Sequence, residues 1–263
     1  MSNNTSARDT DTSSPEDGIR INRYISSSGF CSRRKADELV AAGSVTIDQD
    51  HAIAGSRVFP GQVVRVDGVP LFPDEDYVYI ALHKPLGITC TSDTRDKDNV
   101  IDFLHFDKRI YPIGRLDKMS TGLLLLTNDG SIVNKILRAE GRHEKEYMVQ
   151  VDKPITPEFL DGMQKGVPIL DTVTMPCKIT QTGSHTFRMI LMQGLNRQIR
   201  RMCEYFGYEV CRLKRTRILN IDLGTLPQGE WRNLTFKETR DLLTLISQPP
   251  RGQRQTSRDN SDS

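Results

Sequence analysis

The sequence contains four consecutive leucines at positions 123–126, preceded by Gly122 and followed by the turn sequence Asn128-Asp129-Gly130. A short apolar run between turn signals is typical of a strand that is buried on both faces. Such a strand needs a domain with a substantial core. The length of 263 residues suits one medium domain of this kind together with one small domain.

A charged loop precedes this strand, between Gly114 and Gly122. Within it, Asp117 lies close in sequence to Arg115 and Lys118. Two neighbouring cations favour the ionised form of a carboxyl group, which suits a nucleophile or a base better than a proton donor. The same pattern also fits an aspartate in an ordinary surface ion pair, and this stretch alone leaves both interpretations open.

The composition restricts the class of protein. The formal net charge is only +2, so any affinity for nucleic acid must come from local basic patches. The five cysteines include no Cys-x-x-Cys pair, which argues against a disulfide framework and against a structural zinc site. Reduced thiols in a reducing compartment are the simplest interpretation.

The two ends of the chain, residues 1–18 and 248–263, are polar and are predicted to be disordered tails, because neither can bury enough apolar surface to fold. The first tail lacks the apolar core of a signal peptide, and no apolar run is long enough to cross a bilayer. We therefore expect a cytoplasmic protein with no membrane association.

Residues 19–68 are predicted to form a small domain with two helices and at least two strands. Ser32 is a suitable N-cap for the second helix, which is expected to end at Gly43. Residues 45–47 and 63–66 alternate as strands do, and Asp67-Gly68 is a turn signal. Residues 69–76, with two prolines and several acids, are predicted to be a linker.

The second helix of this small domain begins with three cations, Arg33, Arg34 and Lys35. Positive charge at a helix N-terminus opposes the helix dipole, so an anionic partner is one explanation for the arrangement. Phosphates bind well at such positions, and basic side chains add affinity for a nucleic-acid backbone. A solvated charged face is the alternative.

Residues 77–247 are predicted to form the larger domain. Strands are expected at 77–83, 144–152, near 174–180 and at 185–191, and helices at 99–104, 131–138 and from Thr156-Pro157. A last helix begins with the capping box of Thr235 and Glu238. Strands outnumber helices without regular alternation, so the predicted fold is α+β with a mainly antiparallel central sheet and flanking helices.

The predicted helix 196–206 has one apolar stripe, formed by Ile199, Met202, Cys203 and Phe206. Helical geometry places Arg197 and Arg201 nearly opposite that stripe and Arg200 beside it. Arg200 is therefore the arginine that most needs a partner. From the helix alone, this partner is either a group elsewhere in the fold or Glu204.

Several motifs occur in a fixed order along the chain, and together they resemble those of the pseudouridine synthases, in the branch that acts on ribosomal RNA. The motifs are Lys84-Pro85-Leu86-Gly87, Arg115-Leu116-Asp117, Lys145-Glu146-Tyr147 and Asn196-Arg197-Gln198-Ile199-Arg200-Arg201-Met202. The resemblance spans about residues 19 to 246. Within it, residues 31–37 and 43–47 resemble the RNA-binding domain first seen in ribosomal protein S4.

The resemblance implies an S4-like RNA-binding domain followed by a catalytic domain that isomerises uridine to pseudouridine. It implies that Asp117 starts the reaction, by addition to the nucleoside or by removal of a ribose proton, and that Arg200 pairs with Asp117. Tyr147, which by itself fits ordinary sheet packing, would stack on the target uracil. Arg115 would fill the space left by the flipped base or hold the flanking phosphates.

The remaining expected contacts follow from the same motifs and from the basic clusters. Substrate contacts are expected from Lys84, Leu116, Lys118, Arg197, Gln198 and Ile199. RNA contacts are expected from Arg20, Arg23, Ser32, Arg33, Arg34, Lys35, Arg201, Arg215 and Arg217. Met119 differs from the family, in which an acidic or other polar residue is more common at this position. We expect this difference to affect substrate preference more than catalysis.

The expected partner is 23S rRNA, with the anticodon loop of a tRNA as a candidate second substrate. We expect a monomer with no cofactor and no metal, since the chain has no phosphate-binding glycine loop, nicotinamide fingerprint or His/Cys metal spacing. Two alternatives stay open at this point. One is a synthase for small-subunit rRNA, and the other is a catalytically idle RNA-binding factor in ribosome assembly.

Overall fold

The computed structural model describes residues 18–74, 76–93, 95–137 and 143–247. The chain forms two compact units, with the boundary between Asp76 and Tyr77. The predicted disordered tails lie outside the described residues, except for Gly18.

Within residues 18–74, the first unit contains two helices and six short strands. The helices are α1 (Ile21–Ser27) and α2 (Arg33–Ala41), and the strands are β1 (Ile19–Arg20), β2 (Val45–Ile47), β3 (Asp50–His51), β4 (Arg57–Val58), β5 (Val64–Val66) and β6 (Val69–Leu71). Four strands form an antiparallel sheet in the order β3-β2-β5-β6, and β1 pairs with β4. Helix α2 begins as predicted, because the Ser32 side chain accepts a hydrogen bond from the Lys35 N–H at 3.2 Å.

The predicted linker 69–76 is wrong for its first three residues. Asp67 and Gly68 both adopt positive φ, at 48° and 82°, as a tight hairpin turn requires. The chain therefore reverses directly into β6, which pairs with β5 and buries Leu71. The two prolines, Pro70 and Pro73, and the acids from Asp74 onward indicated a linker and not an edge strand.

The second unit contains five helices and eleven strands among the described residues. The strands are β7 (Tyr79–Lys84), β8 (Tyr111–Ile113), β9 (Thr121–Thr127), β10 (Lys145–Val151), β11 (Pro168–Ile169), β12 (Thr172–Val173), β13 (Lys178–Gly183), β14 (Thr186–Leu191), β15 (Val210–Ile218), β16 (Ile221–Asp222) and β17 (Trp231–Asn233). The helices are α3 (Val100–Leu104), α4 (Gly130–Leu137), α5 (Pro157–Lys165), α6 (Gln198–Tyr205) and α7 (Phe236–Ser247).

The central sheet follows the order β13-β14-β10-β15-β9-β7-β17, with β16 beside β15 and β8 beside β9. Among the strand pairs of this sheet in the described residues, only β9 with β15 is parallel. The predicted α+β fold with a mainly antiparallel sheet is confirmed. The predicted strand at 174–180 is displaced, because regular pairing begins only at Lys178.

The leucine run forms the centre of β9 and is buried on both faces, as predicted. Leu124 and Leu126 face one core, which contains Ile80 and Leu82, whereas Leu123 and Leu125 face a second core beneath α4 and α7. All four leucines are at most 1% exposed. Because both faces of β9 are apolar, polar side chains can lie next to this strand only at its ends.

Gly122 lies at that end, where β9 approaches both β7 and β15. It is paired with Lys84 on one side and with Arg215 on the other. A Cβ atom at this position would lie 2.5 Å from the backbone nitrogen of Arg215 and closer still to its carbonyl oxygen. Only glycine allows the strands this approach, and its φ of 108° also favours glycine.

Two further helices begin as the sequence predicts. In α5, Pro157 occupies the first turn and the Thr156 hydroxyl accepts from the Phe159 N–H at 3.2 Å. In α7, the Glu238 carboxylate accepts from the Thr235 N–H at 2.8 Å, and the Thr235 hydroxyl accepts from the Glu238 N–H at 3.2 Å. This is the predicted capping box.

Replacing Glu238 with glutamine should lower stability in a pH-dependent way. Hydrogen bonds from Arg232, both at 2.8 Å, and the helix cap lower the pKa of Glu238 to about 2. Its ionised form therefore stabilises the fold above its ordinary pKa of 4.5, and this contribution disappears as pH falls toward 2. We expect Glu238→Gln to cost about 1 kcal/mol at pH 7 and less at pH 3, measured by urea unfolding.

The matched control is Glu158→Gln, which changes the glutamate in the first turn of α5. It should change the free energy of unfolding less than Glu238→Gln does. Equal losses for the two variants at both pH values would show that the ion pair with Arg232 adds nothing.

No helix in the described ranges is long and apolar enough to span a membrane.

Candidate active site

A cavity of about 570 Å³ opens in the second unit, beside the end of β9. Its wall is formed by the loop before β9, the last turn of α4, strands β10, β14 and β15, and the loop leading into α6. This volume lies within the range of small-molecule binding sites. Among the described residues, six titratable side chains line the cavity, and they are Arg115, Asp117, Lys145, Tyr147, Arg197 and Arg215.

Asp117 and Arg200 come together beside this cavity, although they are 83 positions apart (200 − 117) in the sequence. The Arg200 Nε lies 3.9 Å from the Asp117 Oδ2, with the two side chains 15% and 31% exposed. Arg200 makes no ion pair with Glu204 among the described residues. The structure thus places Arg200 against Asp117 and not along its own helix.

Arg200 also fixes the loop that carries Asp117. Its guanidinium donates to the carbonyl of Met119 at 2.7 Å, to the Ser120 hydroxyl at 3.3 Å and to the carbonyl of Val210 at 3.1 Å. Its Nε has no hydrogen-bond partner within the described part of the chain. Burial lowers the pKa of Arg200, and the charge of Asp117 opposes this effect.

The structure corrects the expectation that Lys118 supports Asp117. The Lys118 ammonium pairs with Asp98 at 3.0 Å and does not line the cavity. Arg115 lines the cavity and is exposed. The ion partner of Asp117 is therefore an arginine from a distant helix, and not the lysine next to it in sequence.

The loop that carries Asp117 is also fixed by Cys90, a residue that sequence analysis did not select. The Leu116 N–H donates to the Cys90 sulfur at 3.3 Å, and Leu116 is itself buried at the cavity wall. Burial raises the pKa of the Cys90 thiol, which keeps it protonated. The Gly87 N–H donates to the carbonyl of Lys118 at 3.0 Å, which connects the turn after Lys84 to the same loop.

Lys84 does not contact the cavity, contrary to the expected substrate contact. It has no exposed surface, and its ammonium donates to the carbonyls of Pro85 at 2.8 Å and Ile88 at 2.7 Å. Burial lowers the pKa of Lys84, while Asp117 partly restores it. Its position suits a residue that shapes the turn beneath Asp117.

Tyr147 lines the cavity from β10, with 8% of its surface exposed. It lies directly opposite Arg215 of β15. Arg215 is only 3% exposed, and its Nε donates to the carbonyl of Leu123 at 2.8 Å. Arg215 was expected to contact RNA, but a side chain this buried cannot bind along an exposed RNA backbone.

Arg217, two residues further along β15, is also engaged by protein groups. It pairs with Glu144 at 2.9 Å and with Glu146 at 3.5 Å. These carboxylates neutralise its charge, so the expected RNA contact is not supported by its surroundings. Arg201 bonds to Asn196 through the backbone carbonyl at 3.1 Å and the side chain at 3.3 Å.

The start of α6 completes the cavity wall. Arg197 adopts a left-handed conformation with φ of 49°, is exposed, and lines the opening. Gln198 and Ile199 also line the cavity but are each 4% exposed. The Gln198 side chain accepts from the Leu195 N–H at 3.0 Å, which fixes the loop before the helix.

Lys145 is the cavity residue that sequence analysis named in a motif but did not select as a site residue. Burial and the nearby positive charge of Arg215 lower its pKa to about 8. The signal in the sequence was its position two residues before Tyr147, which places both side chains on one face of β10.

The predicted RNA-binding cluster lies in the first unit. Arg20, Ser32, Arg33, Arg34 and Lys35 are exposed, and Arg23 is partly buried. Lys35 pairs with Glu38 at 2.9 Å. RNA binding by this cluster stays a prediction. Within the described ranges, no group of three or more histidine, cysteine, aspartate or glutamate side chains is arranged to hold a metal ion.

Comparison with known proteins identifies close relatives of the chain. A family model described as RNA pseudouridylate synthase matches residues 78–205. The chain is 55% identical over 234 residues to the dual-specificity RNA pseudouridine synthase RluF of Escherichia coli (strain K12), covering 88% of this chain and 81% of the relative. It is 35% identical over 236 residues to the ribosomal large subunit pseudouridine synthase B of Bacillus subtilis (strain 168), covering 86% and 96%.

Among solved structures, a crystal structure of a pseudouridylate synthase matches with a TM-score of 0.62 and 24% sequence identity. The match covers 87% of this chain and 100% of the other. At this identity the likeness shows the fold alone.

Proposed function

The chain belongs to the RNA pseudouridylate synthase family, and we propose that its main substrate is 23S rRNA, with a tRNA as a second substrate. As a pseudouridine synthase, it isomerises uridine in RNA. The reaction breaks the bond between ribose C1′ and uracil N1, turns the base, and joins C1′ to uracil C5.

The Asp117–Arg200 pair beside a cavity of nucleoside size is the observation that carries the assignment of the site. The arginine is anchored by two backbone carbonyls, so its charge has a fixed position next to the carboxylate. The carboxylate form of an aspartate is the form needed to attack the nucleoside or to remove a ribose proton. We assign this role to Asp117.

The cavity is closed at its base by the sheet, so a uridine must leave its stack in the RNA to enter it. Base flipping costs a few kcal/mol. Tyr147 offers a flat face on the cavity wall, and stacking on an aromatic ring returns about 1–3 kcal/mol per base. Arg115 and Arg197 are exposed and line the cavity. Arg197 would bind a phosphate beside the flipped nucleotide, and Arg115 would bind a flanking phosphate or fill the space left by the flipped base.

The choice of 23S rRNA is supported by the relatives. The Bacillus subtilis relative is named for the large ribosomal subunit, and the Escherichia coli relative is called dual-specificity, which supports a second class of RNA substrate. The exposed Arg33 and Arg34 at the start of α2 would add affinity for structured RNA. A ribosomal substrate would place the reaction in the cytoplasm.

The test is to map pseudouridine at nucleotide resolution in unmodified transcripts of 23S rRNA, 16S rRNA and tyrosine tRNA after incubation with the protein. We expect one modified uridine in 23S rRNA and one in the tRNA anticodon loop. Modification of 16S rRNA alone would replace the large subunit by the small subunit as the target. A protein that binds all three RNAs without forming product would contradict the assignment of the site.

A further inference from the structure

Two cationic side chains of the cavity have no assigned role in the reaction described above. Lys145 on β10 and Arg215 on β15 line the same cavity as Asp117. Lys145 is on the same face of β10 as Tyr147, and Arg215 is the cross-strand partner of Tyr147. The two cations therefore flank the tyrosine on the sheet that forms the base of the cavity.

Arg215 has a buried donor with no acceptor. Its Nε donates to the carbonyl of Leu123 at 2.8 Å, and its Nη1 lies 3.4 Å from the carbonyl of Arg115. Its Nη2 is buried and finds no hydrogen-bond partner among the described residues. An unpaired N–H of a buried guanidinium is costly, so a group that enters the cavity and accepts a hydrogen bond there gains affinity.

Lys145 is in a similar situation. Its ammonium has three donors, and the structure gives it one hydrogen bond, to the carbonyl of His143 at 3.2 Å. It forms no ion pair with a carboxylate in the part of the chain that the structure describes. Burial lowers its pKa to about 8, so at neutral pH it is mostly a charged group kept in a poorly solvated place.

We propose that Lys145 and Arg215 bind the two carbonyl oxygens of the flipped uracil and hold the base through its rotation. The inference rests on the proposed site, in which the base stacks on Tyr147. Both side chains are donors only, and uracil presents acceptors at O2 and O4. Cytosine has an amino group in place of O4, so the same pair would also disfavour cytidine.

The symmetry of uracil explains why two donors suit this reaction. Turning the ring about the line from N3 to C6 exchanges N1 with C5 and O2 with O4. A pair of donors that fits the carbonyl oxygens before the rotation therefore fits them again afterwards. Lys145 and Arg215 can therefore hold the base throughout the rotation, while C5 takes the place of N1 next to C1′.

The two charges also match the charge that develops on the base. When the C1′–N1 bond breaks, its electron pair stays on uracil, and the negative charge spreads onto O2 and O4. After C5 bonds to C1′, the C5 proton is lost and N1 gains a proton, so the composition of the nucleotide is unchanged. Lys145 and Arg215 remain protonated and act through hydrogen bonds and charge.

The experiment compares Lys145→Met and Lys145→Arg with wild type in single-turnover assays of total pseudouridine in mixed 23S, 16S and tRNA transcripts. We expect Lys145→Met to slow the reaction about 100-fold and to leave the Kd for RNA within about threefold, as for loss of one charge-stabilising donor. Lys145→Arg should recover most of this loss. Lys178→Met, on the exposed edge strand β13, is the matched control and should keep the wild-type rate.

Two further measurements separate this role from a structural one. Transcripts with 2-thiouridine or 4-thiouridine, whose sulfur is a weaker acceptor, should each react about tenfold more slowly with wild type, but less than threefold more slowly with Lys145→Met. The Lys145→Met variant should also melt about 2–4 °C higher, because it removes a partly buried charge that has no carboxylate partner among the described residues. Arg215→Lys should reduce the thio effects in the same way.

A Lys145→Met rate within threefold of wild type, or thio effects that are equal in wild type and variant, would overturn the inference. The proposed RNA target is tested separately, because this assay counts product in all three RNAs together. Loss of product from 23S rRNA alone would change the target and leave the role of Lys145 intact.

Discussion

Asp117→Asn should reduce pseudouridine formation at least about 10⁴-fold, because the amide is neutral and can neither add to the nucleoside nor remove a proton. The substitution keeps the shape of the side chain, so the loop should stay in place through the contacts of Arg200 with Met119 and Ser120. The affinity for RNA should be equal or slightly higher, since a negative charge near the phosphates is removed. Single-turnover kinetics and a filter-binding titration on the same transcript measure the two effects.

The control is Asp161→Asn on α5, where the carboxylate is 63% exposed and pairs with Lys165. It should leave rate and affinity unchanged. A rate for Asp117→Asn within tenfold of wild type would show that another group starts the reaction. Parallel losses of rate and RNA affinity would instead indicate a disturbed site.

Gly122→Ala should destabilise the second unit by about 3 kcal/mol or more, because the new methyl group would overlap the backbone of Arg215. The strands β9 and β15 would have to separate where Arg215 donates to Leu123. The Asp117 loop enters β9 at this point, so activity should also fall in the protein that remains folded. Urea unfolding and the specific activity of the folded fraction measure the two consequences.

Gly224→Ala separates the overlap from the cost of positive φ. Gly224 has φ of 55°, and a Cβ atom there meets nothing within 4 Å. We expect a loss of about 1 kcal/mol at most for this variant. Similar losses for Gly122→Ala and Gly224→Ala would mean that the strands can accommodate the methyl group.

The features that were predicted correctly depend on residues that are close together in the sequence. The caps at Ser32, Thr156 and Thr235 form because each side chain bonds to a backbone N–H three positions ahead. The buried strand of leucines follows from the unbroken apolar run and the turns beside it. The order of motifs was also sufficient to identify the family, which the relatives confirm.

The partners of charged residues were predicted less well, since they depend on where distant elements meet. Lys118 is adjacent to Asp117 in sequence, yet it pairs with Asp98. Arg215 belongs to a basic run on β15, but the sheet buries it beneath the cavity while its neighbour Arg217 pairs with two glutamates. Regular alternation would place Arg215 and Arg217 on one face, but the register shift between the pairs Glu146–Arg217 and Tyr147–Arg215 gives them different environments. No count of local charge contains that information.

The sequence by itself determined the α+β class, the starts of helices α2, α5 and α7, the family and the identity of Asp117 as the candidate catalytic group. Each of these depends on residue type and short spacing. The tertiary structure alone decided that Arg200 faces Asp117 and that Lys145 is partly buried with no carboxylate partner among the described residues. It also decided that Arg215 keeps a donor at the cavity with no partner in the same residues. The reason is physical: burial and charge pairing are set by strand and loop contacts across 80 or more residues, such as Arg200 with Ser120 and Arg215 with Leu123.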